Sequence, residues 1–216
     1  GNNIALGSAG AGVVNFGTTT GTTGNDFNTI KFCDIREEGS TFPLAAISSI
    51  GSATTVIANN DNNIIDSCNI YNFFSPTVAS AGIYVGANNS EWRIRGNKFY
   101  QTALRTFTAG PVHRVLWITP NVANLTSASG FVIDNNFIGG NTASGTGNYQ
   151  LDGAFTQTFN VFDISVGLGV PTSIQGNTIT NILYSSSSTS SISFLGFNIV
   201  NGNVNLGTST GNLIGS

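Results

Sequence analysis

Apolar and polar residues follow one short pattern that returns seven times along this chain. In each copy an Asn or Cys stands two residues before a large apolar residue, and in the middle five copies an Ile precedes the Asn or Cys by three residues. The seven pairs are Asn2/Ile4, Cys33/Ile35, Cys68/Ile70, Asn97/Phe99, Asn136/Ile138, Asn177/Ile179 and Asn212/Ile214. Successive copies lie 31, 35, 29, 39, 41 and 35 residues apart. This spacing is typical of repeats that stack as coils.

Each copy of the pattern predicts two short strands that meet at a corner, because its apolar residues flank a run of turn-forming polar residues. Further apolar runs lie between the copies and predict a third strand per coil, at residues 55–57, 82–85, 115–118, 159–166 and 192–197. A unit that cannot bury its apolar face alone must stack on its neighbours. The sequence therefore predicts an all-β fold, a parallel β-helix of about six coils of about 35 residues with variable loops.

Stacking in register turns the repeated positions into columns, with neighbours roughly 4.8 Å apart. The Asn/Cys position becomes a structural ladder, in which side-chain amides can bond one another and the turn backbone. Its members are Cys33, Cys68, Asn97, Asn136 and Asn177. The residue after the first Ile points outward, and that column reads Lys31, Asp66, Arg95, Asp134 and Gln175. Its charges alternate in sign, as favourable cross-strand pairs require.

The two cysteines occupy equivalent ladder positions in neighbouring coils. Their Cα atoms should therefore lie within the range of a disulfide. Because parallel side chains point the same way, we favour two buried thiols that pack as small apolar residues, and a Cys33–Cys68 disulfide is the alternative. No further residues complete a zinc site, and we expect neither a metal nor a cofactor.

Composition narrows the class of function. Charged residues make up 8% of the chain, and the net charge is -3. Without a basic patch we expect no nucleic-acid partner, and without a long apolar run we expect no membrane insertion. The chain starts at Gly1 and contains no Met, so we interpret residues 1–216 as a single β-helix segment excised from a longer protein. Flanking segments of that parent chain are the expected partners.

Residues 28–35, 62–70 and 176–179 resemble the repeats of right-handed parallel β-helices. The Gly-, Thr- and Ser-rich connectors and the closing residues 211–216 resemble segments of very large, repetitive cell-surface adhesin-like proteins of Bacteroidota. The resemblance covers nearly the whole chain. It implies a right-handed solenoid that is secreted, displayed at the cell surface and engaged in cell adhesion. The same fold also carries polysaccharide lyases, hydrolases and phage tailspikes, so the resemblance is specific for fold and weak for activity.

A row of aromatic residues offers one candidate binding surface, because flat aromatic faces can stack on sugar rings. Arg36, Tyr71 and Tyr100 occupy equivalent positions after the second apolar column. If they point outward, they form a glycan platform with a cation at one end. The alternative, which we favour, is a cross-strand stack that stabilises the sheet. Trp92 and Trp117 are interpreted as core or loop packing.

A glycosidase or lyase on this scaffold would need paired carboxylates. Asp66 and Asp134 lie two coils apart, at roughly 9–10 Å, with Arg95 between them. We favour a salt-bridge column, because Arg95 would neutralise both acids. Residues 59–63 offer oxygen atoms to calcium but only one carboxylate. His113 has no triad motif nearby, so we expect a packed or exposed histidine.

We therefore expect an extracellular structural and adhesive β-helix module without catalytic residues. Its variable connectors, such as 101–130 and 139–160, should form the contact surface toward extracellular polysaccharide or another cell surface. A polysaccharide lyase or glycoside hydrolase is the first alternative. A ligand-free stalk or filament module is the second.

Overall fold

The computed structural model describes residues 12–17, 23–36, 43–52, 58–120, 128–189 and 193–215. Within these ranges the chain forms 23 β-strands, which we divide among six coils. None of the described residues belongs to a helix long and apolar enough to cross a bilayer.

The strands are short in most coils and longest on one side of the molecule. Those of the first three coils are β1 Val14–Gly17, β2 Thr29–Lys31, β3 Asp34–Ile35, β4 Ala45–Ile50, β5 Asn60–Asp61, β6 Ile64–Asp66, β7 Asn69–Tyr71, β8 Ser80–Val85, β9 Asn89–Ser90, β10 Arg93–Arg95 and β11 Lys98–Tyr100. Those of the last three coils are β12 Arg105–Phe107, β13 Val112–Ile118, β14 Val132–Asp134, β15 Phe137–Ile138, β16 Tyr149–Gly153, β17 Thr158–Ser165, β18 Thr172–Gln175, β19 Thr178–Ile179, β20 Ile182–Tyr184, β21 Ser193–Asn201, β22 Val204–Leu206 and β23 Leu213–Ile214.

Three six-stranded parallel sheets form the body of the molecule. Sheet A has the order β1-β4-β8-β13-β17-β21, sheet B has β2-β6-β10-β14-β18-β22, and sheet C has β3-β7-β11-β15-β19-β23. Neighbours in each sheet come from successive coils, so the chain visits A, B and C once per coil. The predicted right-handed parallel β-helix is confirmed. At roughly 4.8 Å per coil the six coils make a rod about 30 Å long.

The predicted register is confirmed in both apolar columns. Sheet B aligns Ile30, Ile65, Ile94, Ile133 and Ile174. Sheet C aligns Ile35, Ile70, Phe99, Ile138, Ile179 and Ile214. A slip of one residue would turn either column out of the core, so burial of the inner members of each column specifies the register.

Each of the first five coils turns from sheet B to sheet C through a residue in the left-handed backbone region. These residues are Phe32 (φ 56°), Ser67 (φ 55°), Gly96 (φ 64°), Asn135 (φ 56°) and Gly176 (φ 62°). Glycine adopts this conformation without steric cost and Asn tolerates it, whereas a bulky residue is unusual there. The ladder residue follows immediately, so this corner turns its side chain into the interior.

The core fills the space between the three sheets. Its largest fully buried side chains include Trp92, Tyr149, Phe99, Phe131, Phe159 and Phe162. The two ends of the stack differ: Phe16 and Ile35 of the first coil are 8% and 4% exposed, whereas Leu206 and Ile214 of the last are 43% and 54% exposed. Among the described residues, no strand pairs with the far edge of β21, β22 or β23.

Sheet A departs from the sequence prediction in its second coil. Its strand there is β4, and the predicted run 55–57 lies outside the described residues. Strands β8, β13 and β17 overlap the runs predicted at 82–85, 115–118 and 159–166, and β21 overlaps the described part of 192–197. Strand β4 contains two Ala and two Ser residues, so it does not stand out as an apolar run in the sequence. Nearly its whole length is nevertheless buried.

The connectors 101–130 and 139–160 contain strands as well as loops, and their role as a contact surface stays a prediction. They contain β12, β13 and β16, and β12 and β16 join β20 in a three-stranded side sheet. Strands β5 and β9 form a further pair between sheets A and B. Most coils therefore carry a fourth short strand beyond the predicted three.

Candidate functional site

The predicted ladder forms a chain of hydrogen bonds through the interior. Asn97 donates from its backbone N–H and from Nδ2 to Asn136 Oδ1, both at 3.0 Å. Asn136 makes the same two bonds to Asn177 Oδ1, at 3.0 and 2.9 Å, and Asn177 makes them to Asn212. Each Nδ2 also donates to an Ile carbonyl of the preceding coil, as Asn97 does to Ile65 at 2.9 Å. The ladder satisfies polar groups that water cannot reach.

The ladder continues differently at its cysteines. The Cys68 backbone N–H donates to Asn97 Oδ1 at 2.9 Å, and Cys68 Sγ lies 3.7 Å from the Ile30 carbonyl oxygen. Both thiols are free, so the disulfide alternative is not formed. The prediction of two buried thiols is correct for Cys68 and wrong for Cys33, which is exposed because no described ladder residue lies on its outer side. Burial raises the pKa of the Cys68 thiol.

The outward column of sheet B has the predicted register and two of the predicted ion pairs, but not the one between Arg95 and Asp134. Asp66 pairs with Lys31 at 3.0 Å and with Arg95 at 3.2 Å. Across the described ranges no ion pair joins Arg95 to Asp134, because the guanidinium is turned toward Asp66. Asp134 Oδ2 instead accepts from Asn135 Nδ2 at 3.1 Å, and Asp134 Oδ1 is buried without a partner. The expected neutralisation of both acids is therefore correct on one side only.

This arrangement does not favour Asp66 as a catalytic acid. Burial would raise the pKa of its carboxyl, but the hydrogen bond from Ser67 and the nearby Lys31 and Arg95 charges outweigh burial and hold the pKa below its ordinary value. A general acid needs the opposite shift, so that it still carries a proton near neutral pH. Asp66 acts as the anchor of two cations on the rod surface.

The predicted aromatic row is present as a stack. Tyr71 and Tyr100 are aligned in sheet C, with ring centroids 4.5 Å apart and ring planes 12° apart. The Arg36 guanidinium lies 5.5 Å from the Tyr71 ring centroid. The two tyrosines are 9% and 7% exposed, and both faces of Tyr71 are used by its neighbours. This geometry supports the sheet-stabilising alternative, and sugar binding by Arg36, Tyr71 and Tyr100 stays a prediction.

The polar run 59–63 builds a second corner of the coil. Asn60 Nδ2 donates to Ser49 Oγ at 2.9 Å, and Asn63 Oδ1 accepts from the backbone N–H and Nδ2 of Asn28, both at 3.0 Å. These amides are thus engaged within the protein. In the part of the chain that the structure describes, no three His, Cys, Asp or Glu residues are grouped so that they could hold a metal ion.

Asp61 is a carboxyl group that the sequence analysis did not single out as an acid. It accepts a hydrogen bond from Ser90 Oγ at 2.8 Å. Burial, followed by the charges of Asp26 and Glu91, raises the pKa of Asp61 to about 6. A carboxyl group with such a pKa can hold a proton near neutral pH, which is the property of a general acid.

His113 is packed in the core, where it links three coils. Ser80 Oγ lies 2.7 Å from its Nδ1, and Tyr149 Oη lies 2.7 Å from its Nε2. Gln101 Nε2 donates to Tyr149 Oη at 3.3 Å, and Gln101 Oε1 accepts from Arg105 Nε at 2.9 Å. Burial, followed by two nearby arginine charges, lowers the pKa of His113 to about 3. The ring is therefore neutral, and its fully buried setting makes this chain of hydrogen bonds structural.

The outer face of sheet A carries a cluster that the sequence analysis missed. One outward column contains Asn15, Ser48, Tyr84, Trp117, Asp163 and Asn198, and the next contains Ala45, Ala81, Arg114, Asn160 and Leu195. The Tyr84 and Trp117 rings lie 4.7 Å apart, and the Arg114 guanidinium lies 4.0 Å from the Trp117 ring centroid. Trp117 is partly exposed outside the main core, whereas Trp92 is fully buried, as expected.

We define the sheet A cluster as Tyr84, Arg114, Trp117, Asn160 and Asp163. Arg114 Nε is bound to Asp163 Oδ2, which also accepts from Asn160 Nδ2 at 3.3 Å. Within the described residues the Nη groups of Arg114 have no hydrogen-bond acceptor, and Asn160 Oδ1 is buried without a partner. The cluster is therefore electrically neutral, with unused donors and one unused acceptor beside a partly exposed indole.

A sequence signal for this cluster exists in the register of sheet A. Its outward residues each precede an inward apolar residue, as in Tyr84-Val85, Trp117-Ile118, Asp163-Ile164 and Asn198-Ile199. Aligning these dipeptides would have brought the rings and the carboxylate onto one face.

Comparison with known proteins finds no matching family model, no matching curated protein and no matching solved structure.

Proposed function

We propose that this β-helix is an extracellular structural module of a larger surface protein, with an adhesive role toward glycans or another surface. The observation that carries the proposal is the continuous register of the three six-stranded sheets. Each coil shares strand pairing, apolar columns and ladder bonds with the next, as stacked repeats do. Because these contacts run from coil to coil without a break, the module should act as a stiff spacer.

Secretion and cell-surface display belong to the same proposal. They are supported by the resemblance of the repeats to those of adhesin-like surface proteins, and by a surface that is polar with only 8% charged residues in the chain. The partners would be flanking segments of the parent chain and an extracellular polysaccharide or another cell surface.

A polysaccharide-degrading enzyme is the second candidate, and the surroundings of Asp61 favour it. Asp61 accepts a hydrogen bond from Ser90 Oγ at 2.8 Å, and burial, followed by the Asp26 and Glu91 charges, raises its pKa to about 6. The carboxylates proposed from the sequence give less support, because Asp66 is held ionised by its cations.

The experiment that separates these functions exposes the purified chain to a panel of bacterial, algal and plant polysaccharides. Retention on each polymer and the release of reducing or unsaturated ends are measured together. We expect retention without product. Product that disappears in Asp61→Asn would instead establish the enzyme. A chain that is neither retained nor active would contradict the adhesive half of the proposal and leave a ligand-free stalk.

A further inference from the structure

We propose that the sheet A cluster binds a neutral polysaccharide, with Trp117 packing against a sugar ring and Arg114 and Asn160 bonding adjacent hydroxyl groups. This inference rests on the adhesive half of the proposed function, to which it adds a site and a class of ligand.

The apolar part of the site lies outside the main core. Tyr84 packs with Ala45 and Ala81 in a small separate cluster, against which Trp117 and Ile50 are placed. Ala45 and Ala81 are fully buried and Tyr84 is 8% exposed, whereas Trp117 retains part of its surface. The Arg114 guanidinium lies 4.0 Å from the Trp117 ring centroid and the Tyr84 ring lies 4.7 Å away, so a ligand can contact only the indole surface that these two side chains leave exposed.

The polar part of the site offers a hydrogen-bond donor and a hydrogen-bond acceptor, which together match a pair of adjacent hydroxyl groups. Each hydroxyl group both donates and accepts, so a pair of them is matched by one donor and one acceptor of the protein. The bond from Arg114 Nε to Asp163 fixes the guanidinium and leaves its Nη donors available. Asn160 Oδ1 has no partner and is buried, so it supplies the acceptor once a side chain that covers it moves aside for the polymer.

The charges of the site favour a neutral polymer. Asp163 neutralises Arg114, and its other carboxylate oxygen accepts from Asn198 Nδ2 at 2.8 Å. An anionic sugar would place its charge beside a carboxylate that is already paired, without a free cation to receive it. A neutral hexose polymer brings hydroxyl groups and apolar C–H faces only.

The site is tested with wild-type protein, Trp117→Ala, Trp117→Phe and the control Phe27→Ala. Phe27 is a suitable control because it is 78% exposed and lies outside the cluster and outside the connectors 101–130 and 139–160. The probes are a soluble β-1,3-glucan, a β-1,4-mannan and the anionic polymer alginate. Affinity is measured by electrophoresis through gels that contain each polymer. We expect retention of the wild type on a neutral polymer, about tenfold weaker for Trp117→Ala and less reduced for Trp117→Phe, with Phe27→Ala unchanged.

Acrylamide quenching of the wild-type fluorescence gives a measurement that needs no variant. Trp92 is fully buried, so the quencher reports Trp117, and a bound polymer should protect it. Wild-type retention that is unaffected by Trp117→Ala, with no protection from quenching, would overturn the site and leave the adhesive function standing. Preference for alginate would overturn the neutral class. Failure to bind any polymer of the wider panel would remove the adhesive function and this inference with it.

Discussion

The two halves of the ladder column have different chemistry, and the difference shows what the position requires. From Asn97 onward every ladder residue is Asn, whereas the first two are Cys33 and Cys68. Cys68 Sγ lies 3.7 Å from the Ile30 carbonyl oxygen, in the place where Asn97 Nδ2 meets the carbonyl of the next Ile in the column. The thiol can replace the amide as a small donor. It cannot supply the side-chain oxygen that accepts the backbone N–H of the preceding coil.

The Asn half of the stack also contains a second buried polar chain. Ser80, His113 and Tyr149 come from three successive coils and are joined by hydrogen bonds of 2.7 Å. Buried polar chains stabilise a structure only when every member is satisfied, and they become costly when one is lost. The middle coils should therefore respond more strongly to substitution and to acid than the first two coils.

The largest effect should come from acid. The pKa of His113 is about 3 in the folded protein and about 6.5 in an unfolded chain. Between these values the unfolded state binds more protons, so the contribution of His113 to the free energy of unfolding should fall as the pH falls, by roughly 5 kcal/mol over the whole window. Asp61, whose pKa is raised to about 6, acts in the opposite direction and reduces the net loss. Urea unfolding at pH 7, 5 and 3, compared with that of a variant without the His113 ring, isolates the His113 contribution.

His113→Gln provides the control for acid unfolding. It removes the titrating ring but keeps groups that can bond Ser80 and Tyr149, so its unfolding free energy should depend less on pH than that of the wild type. Parallel pH profiles for the two proteins would show that His113 is not the cause of the acid sensitivity.

A break in the middle of the ladder should have the next largest effect. Asn136→Leu removes the acceptor of two Asn97 donors and the amide that reaches Asn177. Buried groups would be left unpaired, so we expect a loss of about 3–4 kcal/mol in urea unfolding. Asn205→Leu, on the exposed side of the last coil, is the matched control and should change stability by less than about 0.5 kcal/mol. Equal effects of the two variants would refute a special role for the ladder.

Substitutions at the turns from sheet B to sheet C should change the stability less, and in opposite directions in the Asn half and the Cys half of the ladder. Gly96 has φ 64° and Phe32 has φ 56°. Gly96→Ala should cost about 1 kcal/mol, since a Cβ is disfavoured in this conformation. Phe32→Gly should gain about 0.5 kcal/mol, because the ring is 76% exposed and its backbone is the strained one. Thermal melting checks both variants, and changes of the same sign would contradict the argument.

Sheets B and C could be predicted from the sequence because two signals coincide in them. Large apolar residues recur at fixed spacing, and a turn-forming position lies between them, so one alignment fixes both Ile columns and the ladder. Sheet A could be predicted only in part. Its second strand, β4, has only Ile47 and Ile50 as large side chains among Ala and Ser residues, so it lacks the apolar run by which the other strands of this sheet were recognised.

The side-chain partners were less predictable than the columns. Lys31, Asp66, Arg95 and Asp134 stand in the predicted order, yet both cations of this column pair with Asp66 and neither pairs with Asp134 within the described chain. The strand register places these residues next to one another, but the side-chain rotamers of Lys and Arg decide which carboxylate oxygen each one reaches. The sheet A cluster was missed for another reason: Tyr84 and Trp117 belong to different coils, and only the strand register unites them.

The most direct test of the ladder is a reciprocal exchange between its halves. Asn136→Cys gives the middle of the stack the chemistry of its first coils, and Cys68→Asn does the reverse. In urea unfolding we predict a loss of about 2 kcal/mol for Asn136→Cys and no loss for Cys68→Asn, because the new amide can bond the Ile30 carbonyl and the preceding backbone. If Asn136→Cys were as stable as the wild type, the Asn ladder would not be what holds the coils together.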